Sequence, residues 1–278
     1  GWCWRIGKPK RAGIGAAKFR EAYEIGLKPN DIGIKSFTWK SDTVQTAEEL
    51  RLIAAQMGEE EYEEEINASW LDASGGIFYA YDDILNVTEK AVYQSDRIIG
   101  VGSDFNVDPM AWVLFHVYNG QMYVFDEIWL RDTNTQRTLD TLYTRYGQHA
   151  NGWHFFGDAS SKNRHTSTST TDYLQIINDS RFTDKRVSYP KANPAVADRF
   201  AATNAMLCNK LGARRCWINP KCKNLRDDLQ QRTYKDGTRV VADEGDIGHI
   251  TDALGYPIHK LFPIHVESAE CGQVEIRR

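Results

Sequence analysis

Two β-rich segments joined by a single Asn-Gly dipeptide constrain the fold of this chain more than any other feature. The segments cover residues 112–118 and 121–130, with Asn119-Gly120 between them. Asn-Gly is the strongest short hairpin signal, because both of its residues tolerate positive φ. A third apolar segment, residues 97–104, precedes them and ends in a carboxylate. Together the three segments predict an antiparallel three-strand meander.

Helices and one further strand are predicted after the meander. Residues 133–149 have the apolar spacing of a helix, and residues 153–158 form an apolar run that again ends in a carboxylate. Because a helical crossover leads into it, this strand should pair in parallel with a neighbour. Further helices are expected from Asn193-Pro194 and from about Asp246, and Pro257 should end the last one. We therefore expect an α/β protein with a mixed sheet flanked by helices.

Three aspartates from separated segments form a candidate metal site. Asp104 and Asp158 end two strands that would lie side by side and parallel, so their side chains should emerge next to each other. Two carboxylates a few Å apart repel each other, and a divalent cation removes that cost. In the last helix the apolar residues share one face, which leaves Asp252 on the opposite face and within reach of the strand ends.

The chemistry expected of these acids is phosphodiester hydrolysis with two metal ions. All-oxygen ligation favours Mg²⁺ or Mn²⁺ over zinc. Two such ions about 4 Å apart activate a water and stabilise the leaving 3′ oxygen. Asp108, Glu127 and His249 are further candidates for contacts around the ions. The alternative for each acid stays open, namely a polar strand end, a turn residue or a surface position.

Composition limits the class of protein without selecting one. The chain has 278 residues, 41% of them hydrophobic, and a formal net charge of −4. That charge argues against a uniformly basic DNA-binding surface, but a carboxylate-rich metal site also gives an acidic mean. No segment has the roughly 20 apolar residues of a membrane-spanning helix, and the first residues lack the layout of a signal peptide. We expect an intracellular protein with no membrane association.

The order of these elements is that of ribonuclease H-like nucleases, and three motifs resemble one family in particular. Residues 102–110, 156–160 and 249–256 resemble the nuclease-domain motifs of the large subunits of tailed-bacteriophage terminases. The likeness covers residues 97–262 and lies in the order of the motifs. It implies a ribonuclease H-like nuclease domain over residues 96–264, with Asp104, Asp158 and Asp252 as catalytic ligands of two Mg²⁺ or Mn²⁺ ions.

The N-terminal part resembles the end of the packaging ATPase domain of the same family. Residues 6–10 lie where that family has a Gly-Thr-Pro or Gly-Ser-Pro coupling segment, and Lys8 departs from the pattern. The resemblance implies that residues 1–95 are the C-terminal remnant of the ATPase domain and a linker, and that residues 265–278 are a tail. The sequence contains no GxxxxGK[ST] phosphate-binding loop, so we expect no ATPase activity from this chain alone.

The function implied by the resemblance is the cutting of double-stranded DNA with little sequence preference during genome packaging in the bacterial cytoplasm. The portal protein and the small terminase subunit would be its partners. Two alternatives stay open. One is another ribonuclease H-like nuclease, such as a junction resolvase or a transposase-type enzyme. The other is a non-catalytic module that binds DNA or docks to the motor.

Basic residues late in the chain are candidates to line a path for DNA. A hairpin predicted at Asp236-Gly237 would lie beside the site as a finger. Cations of this kind contact phosphates, which positions DNA without selecting a sequence. Each of them could equally be an ordinary solvated surface cation. The candidates are Lys162, Arg164, Arg199, Lys221, Lys223, Arg226, Arg232, Lys235 and Arg239.

Overall fold

A six-stranded mixed sheet forms the centre of the fold. The computed structural model describes residues 3–9, 16–71, 75–159, 171–235, 240–242 and 245–264. The strands are β1 (Ile99–Asp104), β2 (Met110–Tyr118), β3 (Gln121–Leu130), β4 (Trp153–Phe156), β5 (Lys185–Ser188) and β6 (Cys216–Ile218). The helices are α1 (Ala16–Gly26), α2 (Ala47–Ala54), α3 (Glu59–Glu65), α4 (Thr135–Tyr146), α5 (Asp172–Asn178), α6 (Val196–Leu207), α7 (Lys223–Gln231) and α8 (His249–Leu261).

The strand order is β5-β4-β1-β2-β3-β6. The pairs β1–β2 and β2–β3 are antiparallel, which confirms the predicted meander. Asn119 and Gly120 form its tight turn with φ values of 52° and 69°. The pairs β1–β4, β4–β5 and β3–β6 are parallel. The predicted parallel pairing of the strand after the crossover is therefore confirmed, and its partner is β1.

Helices cover both faces of the sheet and enclose a core on each side. On one face, α4 and α5 pack on a cluster that includes Val101, Trp112 and Phe155. On the other face, α6, α7 and α8 pack on a cluster that includes Val113 and Phe156. Side chains alternate between the faces of a strand. This alternation directs Gly102 and Asp104 of β1 toward the layer that contains α8.

The last helix continues through the proline that was expected to end it. Pro257 lies inside α8, which extends to Leu261. Proline cannot donate to the carbonyl four residues earlier, which belongs to Ala253. That carbonyl packs directly on Gly102 of β1, where a Cβ atom would overlap it. The contact with the bare backbone of β1 and the core beneath α8 hold the helix together where its own hydrogen bonding is interrupted.

The helix predicted from Asn193-Pro194 begins later than expected. Helix α6 starts at Val196, and its N-cap is Ala195, which makes no side-chain capping hydrogen bond. The side chain of Asn193 accepts a hydrogen bond from the backbone N–H of Ala159 at 2.5 Å instead. The polar group that suggested a helix cap therefore fixes the loop that follows β4.

The N-terminal helices contact the rest of the protein through the segment after α6. Helix α2 begins with a capping box between Thr46 and Glu49. Beyond its end, the carbonyl of Ala55 accepts a hydrogen bond from Asn209 at 2.9 Å. Lys210 forms ion pairs with two glutamates of α3. Across the part of the chain that the structure describes, none of the helices is long and apolar enough to cross a membrane.

Candidate active site

Asp104 and Asp158 lie at the carboxyl ends of two neighbouring parallel strands. Gly102 of β1 pairs with Phe156 of β4, and each aspartate comes two residues later in its segment. Asp104 is the last residue of β1, and Asp158 is buried in the loop that follows β4. The carbonyl of Asp158 accepts a hydrogen bond from Tyr173 at 2.6 Å, which fixes this loop against α5. The structure thus brings together the two acids that the sequence placed at strand ends.

Asp252 of α8 shares the electrostatic environment of these two acids. Burial raises the pKa of Asp104, the hydrogen bond with His249 lowers it, and the negative charges of Asp252 and Asp158 raise it, with a net upward shift. Burial also raises the pKa of Tyr256, one turn after Asp252. The charge of Arg199 lowers it, and the charges of the three aspartates raise it. Coulomb interactions weaken with distance, so charges that shift one another's pKa lie in the same region of the protein. Three carboxylates from three separated segments therefore lie in one electrostatic environment near one end of the sheet.

His249 binds Asp104 directly. Its Nδ1 lies 2.7 Å from Oδ2 of Asp104, and its Nε2 lies 3.3 Å from the side-chain nitrogen of Asn106. The hydrogen bond to Asp104 raises the pKa of the imidazole, although burial lowers it. Of the further candidates around the site, His249 is the one that contacts a cluster aspartate through its side chain.

Asp252 is bound by two buried arginines. Its Oδ1 accepts hydrogen bonds from Nη1 of Arg199 at 2.9 Å and from Nη1 of Arg232 at 3.0 Å. Its Oδ2 accepts a third from Nη2 of Arg232 at 3.3 Å. Arg199 and Arg232 are only 5% and 7% exposed. The prediction that these two arginines line a DNA path is corrected by this burial, because their guanidinium groups bind Asp252 inside the protein.

Asp228 of α7 fixes the first turn of α8, a role that sequence analysis missed. Both of its carboxylate oxygens accept hydrogen bonds from the backbone N–H of Gly248 at 2.9 Å. One of them also accepts hydrogen bonds from the N–H and the hydroxyl of Thr251. A carboxylate at a helix N-terminus satisfies unpaired N–H groups and complements the helix dipole. No spacing in the sequence connects residue 228 with residue 248, so the contact depends on the packing of α7 against α8.

The donor set of the cluster fits a hard divalent cation, although Asp252 is directed elsewhere. Among the described residues, no three His, Cys, Asp or Glu side chains lie close enough to hold one ion. The carboxylate of Asp252 forms ion pairs with Arg199 and Arg232 instead. Asp104 and Asp158 nevertheless offer carboxylate oxygens at a buried site where negative charges lie close together. Such a site is stabilised by Mg²⁺ or Mn²⁺.

Two further acids proposed from the sequence have other partners. Asp108 pairs with Arg131 at 3.2 Å, and its side chain is exposed. Glu127 lies on β3, separated from β1 by β2. Its oxygens accept hydrogen bonds from the backbone N–H groups of Asn224 at 2.9 Å and Leu225 at 3.0 Å. The structure corrects the expected role of Glu127, which caps the start of α7.

The remaining basic candidates fall into three groups. Lys221, Lys223 and Lys235 are exposed, and Lys221 lies 3.4 Å from a carboxylate oxygen of Asp126. Arg226 forms an ion pair with Asp83 at 2.7 Å. Lys162, Arg164 and Arg239, together with the Asp236-Gly237 turn, lie outside the described residues. The residues flanking that turn do pair, since Tyr234 and Val241 form an antiparallel bridge.

Comparison with known proteins defines the fold. No protein-family model and no curated protein matches the sequence. Among solved structures, the large terminase of a thermophilic bacteriophage in complex with ADP superposes with a TM-score of 0.65 at 15% identity, covering 91% of this chain and 61% of that one. A second crystal form of the same terminase gives a TM-score of 0.63 at 15% identity, covering 89% and 58%. The nuclease domain of the bacteriophage SPP1 large terminase with bound Mn gives 0.44 at 18% identity, covering 66% and 97%.

The sheet consists of the antiparallel β1-β2-β3 meander with β4 and β5 added in parallel, and helices flank it. This arrangement is the ribonuclease H-like fold. Within that class the chain has the fold of phage large terminases, as the motif order predicted. The chain spans 61% of the length of the thermophilic phage terminase that it matches.

Proposed function

We propose that this chain is a metal-dependent endonuclease that cleaves double-stranded DNA with little sequence specificity. It would supply the genome-cutting activity of a phage DNA-packaging terminase large subunit. The observation that carries the proposal is the placement of Asp104 and Asp158 side by side at the ends of parallel strands, with the pKa of Asp104 raised by burial and by its acidic neighbours. Asp252 of α8 would be the third acid of the site.

The acids of the cluster would hold two Mg²⁺ or Mn²⁺ ions, with Asp104, Asp158 and Asp252 as their ligands. When bound, such ions activate a water and stabilise the leaving 3′ oxygen of a phosphodiester. The side chains around the cluster orient its members. His249 fixes the carboxylate of Asp104 through a hydrogen bond, and Asp228 fixes the first turn of the helix that carries Asp252.

DNA would be held through its phosphates by exposed cations. Lys221, Lys223 and Lys235 are the proposed contacts within the described residues, and Lys162, Arg164 and Arg239 are proposed beyond them. Contacts of this kind carry no sequence information, which agrees with cutting at varied sites. The affinity of the protein for DNA should therefore fall steeply with salt concentration.

The proposed domain organisation follows the same assignment. Residues 1–95 would be the C-terminal part of a packaging ATPase domain and its linker, residues 96–264 the nuclease domain, and residues 265–278 a tail. The chain alone would not hydrolyse ATP. It would act in the cytoplasm of the infected bacterium, with the portal protein and the small terminase subunit as partners.

A second candidate function is DNA binding without cleavage. Two observations favour it. Arg199 and Arg232 engage Asp252, and the described residues contain no group of three metal ligands. The two functions differ in their dependence on Asp104. A binding module would retain its activity after Asp104→Asn, whereas a nuclease would lose it.

Cleavage of supercoiled plasmid tests the proposal. The wild-type chain is incubated with Mn²⁺, Mg²⁺ or a chelator, in parallel with Asp104→Asn and Asp158→Asn. Asp227→Asn is the matched control, because Asp227 is an exposed aspartate of α7. Nicking and linearisation that require metal and are lost in both cluster variants, but not in the control, would support the nuclease. DNA binding without cutting under any metal would support the binding module.

A further inference from the structure

The ion pairs of Asp252 differ from those of an ordinary surface carboxylate. Arg199 extends from α6 and Arg232 directly follows α7, so two helices converge on one side chain of a third. Three hydrogen bonds of 2.9 to 3.3 Å occupy both carboxylate oxygens. Charge-assisted hydrogen bonds are the strongest that proteins make between side chains. Both oxygens of Asp252 are therefore engaged by arginines and are less available to bind a metal ion.

The two arginines are buried in the interior, whereas the aspartate is partly exposed. Nη1 of Arg232 also donates to the carbonyl of Gly248 at 3.1 Å and to the hydroxyl of Thr251 at 2.7 Å. The guanidinium of Arg199 lies 4.5 Å from the ring centre of Tyr256. The side chain of Asp252 is 23% exposed, against 6% and 8% for the side chains of Arg199 and Arg232. If these ion pairs break, the moving part is the side chain of Asp252.

We propose that Arg199 and Arg232 are positioning residues that withhold Asp252 from metal until DNA is bound, so that the resting protein binds one ion on Asp104 and Asp158. This inference rests on the proposed function and adds to it an order of assembly. Rotation of Asp252 toward an ion leaves two buried guanidinium groups without their counter-charge, which is costly. A DNA phosphate near the site supplies negative charge that reduces this cost.

The removal of one arginine should loosen the hold on Asp252. Arg199 is the suitable position, since Asp252 is its side-chain hydrogen-bond partner, whereas Arg232 also holds Gly248 and Thr251. Arg199→Gln is expected to tighten the binding of a second ion about tenfold in the absence of DNA, which corresponds to about 1.4 kcal/mol. Arg186→Gln, at an exposed arginine of β5, is the matched control and should leave metal binding unchanged.

The experiment measures Mn²⁺ binding to the whole chain by electron paramagnetic resonance and calorimetry, so that the readout does not depend on cleavage. Wild type should bind one Mn²⁺, Asp252→Asn should bind it with nearly the affinity of wild type, and Asp104→Asn should lose it. At a Mn²⁺ concentration at which wild type holds one ion, Arg199→Gln should hold a second ion that Arg199→Gln/Asp252→Asn lacks. In the presence of a short phosphorothioate duplex, wild type should bind two Mn²⁺ ions. The ions that the DNA itself binds are measured separately and subtracted. Melting temperatures of all variants confirm that each is folded.

Three results would overturn the proposal. Mn²⁺ binding that Asp252→Asn weakens as strongly as Asp104→Asn would make Asp252 a ligand from the start. Two ions on wild type without DNA would show that the arginines withhold nothing. A folded Arg199→Gln that gains no second ion would exclude the role of that arginine. Failure of the proposed function is a separate result, because it would appear as no Mn²⁺ binding and no cleavage by wild type itself.

Discussion

Nδ1 of His249 lies 2.7 Å from Oδ2 of Asp104, which joins the start of α8 to the end of β1 across 145 residues of sequence. The contact couples the strand that carries one acid to the helix that carries another. Because an imidazole N–H donates to one of its oxygens, the carboxylate of Asp104 is oriented before any ion arrives. Hydrogen bonds that orient metal ligands in this way are worth a tenfold to hundredfold change in metal affinity or activity.

Replacement of His249 tests this orientation. We expect His249→Ala to weaken Mn²⁺ binding and plasmid cleavage by roughly 10- to 100-fold, because Asp104 loses its hydrogen-bond donor. His249→Gln keeps a donor and should recover part of the loss. His259→Ala, at the other end of the same helix, is the control. Equal metal affinity in wild type and His249→Ala would show that the hydrogen bond does not prepare Asp104 for metal.

Gly102 should accept no side chain. A Cβ atom at this position would overlap the carbonyl oxygen of Ala253 and crowd Pro257, so α8 would have to move away from the sheet. We expect Gly102→Ala to lower the free energy of unfolding by about 3 kcal/mol. Gly76→Ala is the matched control, since the nearest atom to its added Cβ lies 3.9 Å away. Urea unfolding of the two variants measures the difference, and comparable losses would contradict the tight contact.

Asp228 should stabilise α8 through its first turn. Asp228→Asn removes the negative charge at the helix N-terminus and one of the two acceptors that Gly248 and Thr251 use. The expected loss of unfolding free energy is about 2 kcal/mol. Asp227→Asn changes an exposed aspartate on the same helix and should stay within about 0.5 kcal/mol of wild type. Thermal melts distinguish them, and an unaltered melting temperature for Asp228→Asn would refute the cap.

His116 should make the fold sensitive to mild acid. Burial lowers its pKa from 6.5 to about 4. In the folded chain its Nε2 accepts a hydrogen bond from the backbone of Gln94 at 2.9 Å, and its Nδ1–H donates to the carbonyl of Ile98 at 2.8 Å. The unfolded chain therefore takes up a proton more readily than the folded one. The resulting stability is fully present above pH 6.5 and is lost as the pH falls toward 4.

The effect of His116 can be isolated by comparison of two pH values. When the pH is lowered from about 7.5 to about 5.5, protonation of His116 in the unfolded chain should lower the free energy of unfolding of wild type by about 1.4 kcal/mol. His116→Gln keeps hydrogen-bonding groups at the position but does not titrate, so this share of the pH dependence should vanish in the variant. Urea unfolding of both proteins at the two pH values provides the measurement. The same pH slope in both would show that His116 is not the group responsible.

Local signals in the sequence predicted most of the sheet and the ends of its central strands. The Asn119-Gly120 turn, the alternation along the strands and the carboxylates after β1 and β4 are determined by residues close together in the chain. The start of α6 and the end of α8 were not predicted correctly. Asn193 does not cap α6 because its side chain accepts a hydrogen bond from Ala159. Helix α8 continues past Pro257 because tertiary packing stabilises it there.

The roles of charged side chains were harder to predict than their positions. From the sequence, Arg199 and Arg232 were predicted to be surface cations, because nothing near them in the chain indicates burial. Their environment is created by the convergence of α6, α7 and α8, elements that are far apart in sequence. The role of Glu127 was missed for the same reason, because its partners on α7 lie 97 and 98 residues later in the chain. Long-range contacts of this kind decide whether a charge serves the site or the fold.

Because α8 packs directly on Gly102, the site should be lost only when the whole domain unfolds. The helix that presents Asp252 also closes the core cluster against β1 and β2, with no spacer between its backbone and the sheet. A folded state in which the backbone of α8 has moved off the sheet would have to break this contact and open the core. Heat should therefore abolish catalytic competence and native structure at a common midpoint, with no inactive compact species populated below it.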